Sequence, residues 1–444
     1  MGDIMYKKLS FLWFVLGLGG QLQVLFSLSI SEILVLVMAP CLLFSEMPHM
    51  RRTGVMTFFW MAVLLFCGCI VSLVANHAEF YQVIRGVSIT GLIICSVVVG
   101  HYMLRNCPQG LKWYFIGAML SGFICIFVFQ RSVEVASAGG VDVDSIMSGP
   151  LFWIQRLSSL LIMPVVAFYL KLPLAYSIGA PLFMFFFSIL YSASGRAAAL
   201  SFIGSAALVV IGRKKRKSMA ALGRHFTLIF CLAVVGVYAA KAGYQWAALN
   251  NYLGEKARVK YEHQTAGGSG IVNLLIGGRA DAFVGLLAVA DAPIIGKGYW
   301  ARDTERYYEE FLAKYGNPDD YKQYIKNKLY YASKGYDTQK MIACHSHITS
   351  FWVWYGLPGL LFWLYVIYVI FRFLRHDVAV VPQWYYWLAA GVPGLLWHIC
   401  FSPFNNRIGL PLLVIGMLLA RAIRFGRYQL PESMIMEIEE SERK

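Results

Sequence analysis

Continuous apolar runs of about 20 residues recur along the 444-residue chain, and nothing else in the sequence constrains its fold as strongly. A run of that length lets an α-helix cross a hydrocarbon core roughly 30 Å thick. About twelve such windows fall near residues 10–27, 29–46, 54–75, 82–104, 111–130, 150–170, 173–193, 196–212, 225–247, 348–371, 382–402 and 407–423. They do not alternate at period two, which excludes a membrane β-barrel. Hydrophobic residues make up 58% of the chain and charged residues 14%, whereas a soluble domain carries roughly a quarter charged residues. A soluble enzyme, a disordered tail protein and a disulfide scaffold are therefore excluded. The class predicted is an all-α polytopic membrane protein of about twelve transmembrane helices. Several adjacent windows, the first two among them, are so close that each pair reads as one hairpin or a broken helix.

Charge supplies an independent check on the topology. The net charge of +15 comes from short basic stretches between apolar runs, and in membrane proteins these mark the cytoplasmic side. With the N-terminus inside, that side holds Lys7 and Lys8, Arg51 and Arg52, Arg105 and Lys112, Lys171, the cluster Arg213 to Lys217 with Arg224, Arg372 and Arg375. Arg421, Arg424 and Arg427 join them only if the number of spans is even. No basic, aromatic-interleaved soluble module is present, so no nucleic-acid partner is expected. Most of the nine cysteines lie inside apolar runs, where Cys acts as a small hydrophobe. No CxxC pair occurs, so neither a zinc nor a redox motif is indicated. Met1 to Lys8 with the run behind it reads as a first span and not as a cleaved signal, because many spans follow.

The resulting organisation is 1–249 for spans 1 to 9, 250–346 for a large outer segment, 347–428 for spans 10 to 12 and 429–444 for a cytoplasmic tail. The outer segment is far too long to be a bare connection. It carries 13 Lys and Arg against 11 Asp and Glu, nearly neutral and so readily translocated. Helical runs are predicted in it at Gly278–Ala292, Asp303–Lys314 and Asp319–Ala332. A second outer stretch, 131–149, is Gly- and Ser-rich and reads as a flap.

Charges inside or at the edges of spans are informative because each is costly unless it faces protein or water. Arg85, Arg156, Arg196, Lys241 and Arg407 all fall near outer helix ends in this topology. Any one of them reads as a snorkelling side chain. Five on the side that should be poor in cations point to an anionic substrate at the outer leaflet. In the outer segment, Gly278-Arg279 opens an apolar helix that ends at Pro293-Ile294-Ile295-Gly296-Lys297-Gly298. An arginine beside the free N–H groups of a helix N-terminus suits an anion. His345-Ser346-His347 then directly precedes a span and the sequence Tyr355-Gly356-Leu357-Pro358-Gly359.

These motifs resemble those of the O-antigen ligase/polymerase family, specifically over about residues 275–360. Ser194-Gly195-Arg196 resembles that family's short Ser-Arg or Thr-Arg motif, and Asn406-Arg407 falls where its ligases often hold another arginine. One position departs: the family usually has Asn after the His, and here it is Ser346, whose hydroxyl is expected to orient the imidazole. The resemblance implies a multi-pass protein of the bacterial inner membrane with a periplasmic site, in which the outer segment is a mainly helical periplasmic one between spans 9 and 10. It implies a glycosyltransferase that moves a glycan off undecaprenyl diphosphate, with lipid A–core as the acceptor of a ligase.

Chemistry and resemblance then assign the roles together. Arg196, Arg279 and Arg407 would hold the diphosphate leaving group, since guanidinium forks match phosphate oxygens. His345 would take the acceptor hydroxyl's proton, because an imidazole with a pKa of about 6.5 is available as a base near neutral pH. His347, Arg156 and Arg85 are further possible substrate contacts. A single displacement would invert the anomeric carbon. No Asp-x-Asp motif or metal-ligand cluster is visible on the outer side, so neither metal nor cofactor is expected. The alternatives are a polymerase joining lipid-linked repeat units and, from another class, a polysaccharide transporter or flippase. Short remaining outer loops favour the ligase over the polymerase. Polar groups crowded on one face, with halves that are not alike, argue against alternating access.

Overall fold

The computed structural model describes residues 2–20, 23–25, 28–127, 242–252 without 244 and 248, 258, 280–315, 318–333, 341–342, 344, 346–375, 392, 395–396, 398–400, 404 and 408–429. Helices dominate them: α1 (Gly2–Leu18), α2 (Ile30–Thr53), α3 (Val55–Ala75), α4 (Phe80–Asn106), α5 (Leu111–Phe127), α6 (Ala280–Asp291), α7 (Tyr307–Tyr315), α8 (Pro318–Ser333), α9 (His347–Tyr355), α10 (Leu357–Arg375) and α11 (Gly409–Arg424). Among the described residues α2, α3 and α4 are long and apolar enough to cross a membrane, and Leu357–Phe373 and Gly409–Ile423 are shorter apolar stretches. The windows near 150–170, 173–193 and 196–212 and the 131–149 stretch lie outside the described residues.

The windows and the helices differ in instructive ways. The first window, 10–27, is not one helix. α1 ends at Leu18 against Gly19-Gly20, and a small antiparallel pair, β1 (Gln23–Leu25) and β2 (Leu28–Ser29), turns the chain into α2. Ser29 and Glu32 form a reciprocal capping box there, with Ser29 N–H donating to Glu32 Oε2 at 2.8 Å and Glu32 N–H to Ser29 Oγ at 3.3 Å. α2 runs past the predicted end at 46, through Pro40 and Pro48, and stops where Gly54 takes a left-handed φ of 79° and its N–H returns to Arg51. The window 348–371 is two helices broken at Gly356. The three helices predicted in 250–346 are present as α6, α7 and α8, each within a few residues of its predicted bounds.

α3 and α4 form the centre, packed against each other, with α2 and α11 on α4 and α10 on α3. Phe58 of α3 stacks on Phe362 and Tyr365 of α10, ring centroids 5.9 and 6.3 Å apart. α1 packs on α5, where Trp13 meets Tyr114 edge to face and its indole N–H donates to the Cys107 carbonyl at 2.9 Å.

One buried charge network fastens α2 to α4 near their shared end. Glu46, 1% exposed, accepts from Arg105 at both carboxylate oxygens, at 2.6 and 3.2 Å, and lies 2.7 Å from Nδ1 of the fully buried His101. His101 Nε2 meets Thr53 Oγ1 at 3.1 Å, and the Tyr428 hydroxyl donates to the Arg105 carbonyl at 3.3 Å. Removing one partner of such a network strands the others in a low-dielectric site, which costs about 3 to 5 kcal/mol. Glu46→Ala should lower thermal stability of the detergent-purified protein by about that amount. Replacing Glu46 and Arg105 together by Met should cost clearly less. Equal melting of Glu46→Ala and the unaltered protein would show the network to be ornamental.

Candidate functional site

A helix that breaks inside a membrane protein leaves carbonyls without intrahelical partners, and these must be satisfied locally. α9 breaks at Gly356, whose φ of 65° and ψ of −148° only glycine adopts readily. The carbonyls of Val353 and Trp354 at its end accept from the N–H groups of Lys297 and Gly298, at 2.6 and 3.2 Å. Leu357 N–H, at the start of α10, returns to the Ile294 carbonyl at 2.9 Å, and the Trp352 indole donates to the Pro293 carbonyl at the same distance. The motif Pro293 to Gly298 thus clasps the chain from Trp352 to Leu357, which runs into the second motif, Tyr355 to Gly359, mainly through main-chain bonds.

α3 completes the clasp through two polar side chains one turn apart at its end. The Ser72 hydroxyl donates to the Trp354 carbonyl at 2.7 Å and accepts from Gly298 N–H at 3.1 Å. The Asn76 amide donates to the carbonyls of Ser72 and Gly296 at 2.7 and 3.0 Å. The approach leaves no room for side chains: a Cβ on Gly356 would overlap the Ile294 carbonyl, and one on Gly296 would lie 2.6 Å from Gly356 N. Tyr299 then seals the junction against Trp354 and Tyr355, at 4.8 and 6.4 Å.

From the clasp α6 runs along α9, with Gly285 in contact range of Cys344 and Thr349. Ser346 caps α9, its hydroxyl accepting from Thr349 N–H at 3.3 Å and donating to the Ile399 carbonyl at 3.0 Å. That hydroxyl proton is therefore committed to a backbone carbonyl, and the imidazole that Ser346 is expected to orient, His345, lies outside the described residues. His347 is 2% exposed, with Trp363 at 4.8 Å, Phe404 at 5.2 Å and His398 stacked at 6.2 Å. It belongs to the aromatic wall between α9 and α10. His398, hidden in an apolar window next to Trp397, was not anticipated; only its pairing in space with His347 marks it.

Arg85 lies in the second turn of α4, half-buried, with its guanidinium 4.3 Å from the Tyr81 ring centroid and 5.2 Å from that of Trp300. Trp300 has a left-handed φ of 54°, a conformation that costs a bulky residue about 1 to 3 kcal/mol and persists only when neighbours enforce it. The Gln82 amide holds the Trp300 carbonyl at 3.2 Å, and the next carbonyl, of Ala301, accepts from Ile342 N–H at 2.9 Å. Farther out, Asp303 caps α7 through the N–H groups of Tyr307 and Tyr308 at 2.8 and 3.0 Å. The Tyr307 hydroxyl donates to Asp291; burial, reinforced by that carboxylate, pushes its phenol above the usual range.

The remaining sequence-predicted site residues, His345, Arg196, Arg279, Arg407 and Arg156, lie outside the described residues. The structure therefore brings together the segments flanking Arg279 and His345 in sequence, and places Arg85 and His347 in different surroundings. Among the described residues no group of three or more His, Cys, Asp or Glu side chains could hold a metal ion. No protein-family model matches the chain, and a search of curated proteins gives no match either.

The clasp makes a contrast between two glycines testable. Gly356→Ala should cost more than about 3 kcal/mol, because backbone overlap adds to the strained conformation. Gly54→Ala, with φ of 79° and no atom near the added methyl, should cost only about 1 to 2 kcal/mol. Thermal unfolding of the two purified variants measures the difference, and equal losses would refute the clasp as the tighter constraint.

Proposed function

We propose that this chain is a glycosyltransferase of the O-antigen ligase type, which moves a polysaccharide from undecaprenyl diphosphate to lipid A–core at the periplasmic face of the bacterial inner membrane. One observation carries the reading furthest: the interlocking of the 293–298 and 352–357 segments. Arg279 directly precedes α6 and His345 lies two residues before α9 in the sequence. A site that uses both needs those helices to be neighbours, and α6 packs on α9. The apolar helices α2, α3 and α4 support a membrane setting.

In this proposal the acceptor hydroxyl oxygen attacks the anomeric carbon while the bond from that carbon to the diphosphate oxygen breaks. The hydroxyl proton passes to the His345 imidazole, and undecaprenyl diphosphate leaves with the bonding electron pair. Arg196, Arg279 and Arg407 neutralise the charge that develops on it. The reaction inverts the anomeric centre and uses neither metal nor cofactor.

The test is genetic and chemical. Deleting the gene should remove all long-chain lipopolysaccharide from a gel while polymer persists on the lipid carrier; core bearing a single repeat unit would instead identify a polymerase. His345→Ala should reproduce the deletion with protein abundance unchanged, a loss of at least about 100-fold if general-base catalysis is removed. Transfer at the unaltered rate would remove His345 from the role of base.

A further inference from the structure

We infer that Arg85, set between Tyr81 and Trp300, is a preformed receptor for a lipid-borne phosphate at the membrane surface. An arginine near a helix end ordinarily snorkels, with a mobile head in water. This one is held. Tyr81 lies one turn before it on α4, and Trp300 reaches it from a separate segment just beyond the clasp. Among the described residues no carboxylate pairs with Arg85, whereas Arg302, two residues after Trp300, lies 3.5 Å from Glu79. Contact with the two rings leaves the guanidinium charged, and with no carboxylate beside it its fork of N–H donors suits a planar, bidentate partner such as phosphate oxygens.

The loop that supplies Trp300 is fixed on both sides. Gly298 is bound to Ser72 and Trp354, the Trp300 carbonyl to Gln82, and the Ala301 carbonyl to Ile342. The left-handed turn at Trp300 aims its ring at Arg85 at the cost of a disfavoured backbone conformation. A tryptophan serving only as an interfacial anchor requires no such placement.

Depth is consistent with a phosphate. The 27 residues of α4 span about 40 Å at 1.5 Å per residue, some 10 Å more than the hydrocarbon thickness. Shared between the two ends, that surplus puts the α carbon of Arg85, about 8 Å along the helix from Phe80, about 3 Å inside the hydrocarbon border, within reach of the headgroups for a side chain as long as arginine. Exposed Phe80 and Tyr81, 80% and 56% accessible, flank it with rings suited to that border. The phosphate can belong to a bilayer phospholipid or to a polyprenyl diphosphate. Only the second source rests on the transferase reading.

Native mass spectrometry of the full chain in detergent tests this directly, with phosphatidylglycerol and undecaprenyl diphosphate titrated separately. Arg85→Gln should weaken binding of at least one of the two about tenfold. Arg85→Lys, which keeps the charge but loses the fork, should weaken it severalfold. Trp300→Ala should resemble Arg85→Lys, and Trp300→Phe should stay near the unaltered protein. Loss confined to undecaprenyl diphosphate makes Arg85 a donor contact, and loss confined to phosphatidylglycerol makes it a lipid-binding site. Unchanged binding of both lipids by Arg85→Gln and Arg85→Lys overturns the inference. The readout involves no glycan transfer, so an inactive or fully active His345→Ala variant leaves it intact.

Discussion

Everything at one end of this helical bundle depends on how two stranded carbonyls find partners. In water the last carbonyls of α9 would be solvated at little cost. In a membrane-embedded bundle each one left unpaired costs several kcal/mol, and the N–H groups of Lys297 and Gly298 take that role. The exchange joins a loop more than fifty residues upstream to the break between α9 and α10, and Ser72 and Asn76 extend it to α3. Three separate stretches of chain are thus fixed by hydrogen bonds, main chain to main chain for two of them and through the Ser72 and Asn76 side chains for the third.

The opposite end of α4 solves a different problem. There the burden is charge, not unpaired backbone. Glu46 faces Arg105 and His101 almost entirely out of contact with solvent. Coulombic attraction in a low-dielectric setting strengthens the pairing, while desolvation of three polar groups offsets much of it. The network is therefore better understood as fixing the register of α2 on α4 than as a large net source of stability. Hydrophobic contacts such as Phe58 on Phe362 and Tyr365 lie between these two polar ends.

Legibility in the sequence followed the length scale of the interaction involved. Apolar windows located α3 and α4 to within two residues, because hydropathy acts locally. They misplaced the end of α2, which runs on past 46 to Thr53 where Gly54 supplies the stop, and they missed the break at Gly356 because a single glycine scarcely alters average hydropathy. The two glycine-rich motifs stood out as patterns, yet their mutual hydrogen bonding joins positions about sixty residues apart, which no window contains. Ser346 was visible, but its bond to Ile399 was not. Arg85 could be picked out as a cation where few are tolerated; the Trp300 ring beside it could not.

The clasp also separates what must stay constant from what is at liberty to vary. Its hydrogen bonds use the carbonyl of Ile294 and the amide of Lys297, not their side chains. Ile294 and Ile295 are 68% and 44% accessible, so their identities can change without disturbing the lock beneath them. A rigid scaffold whose outward-facing residues are exchangeable is a convenient place to retune what the molecule meets at its surface, in the way a fixed socket accepts different tools.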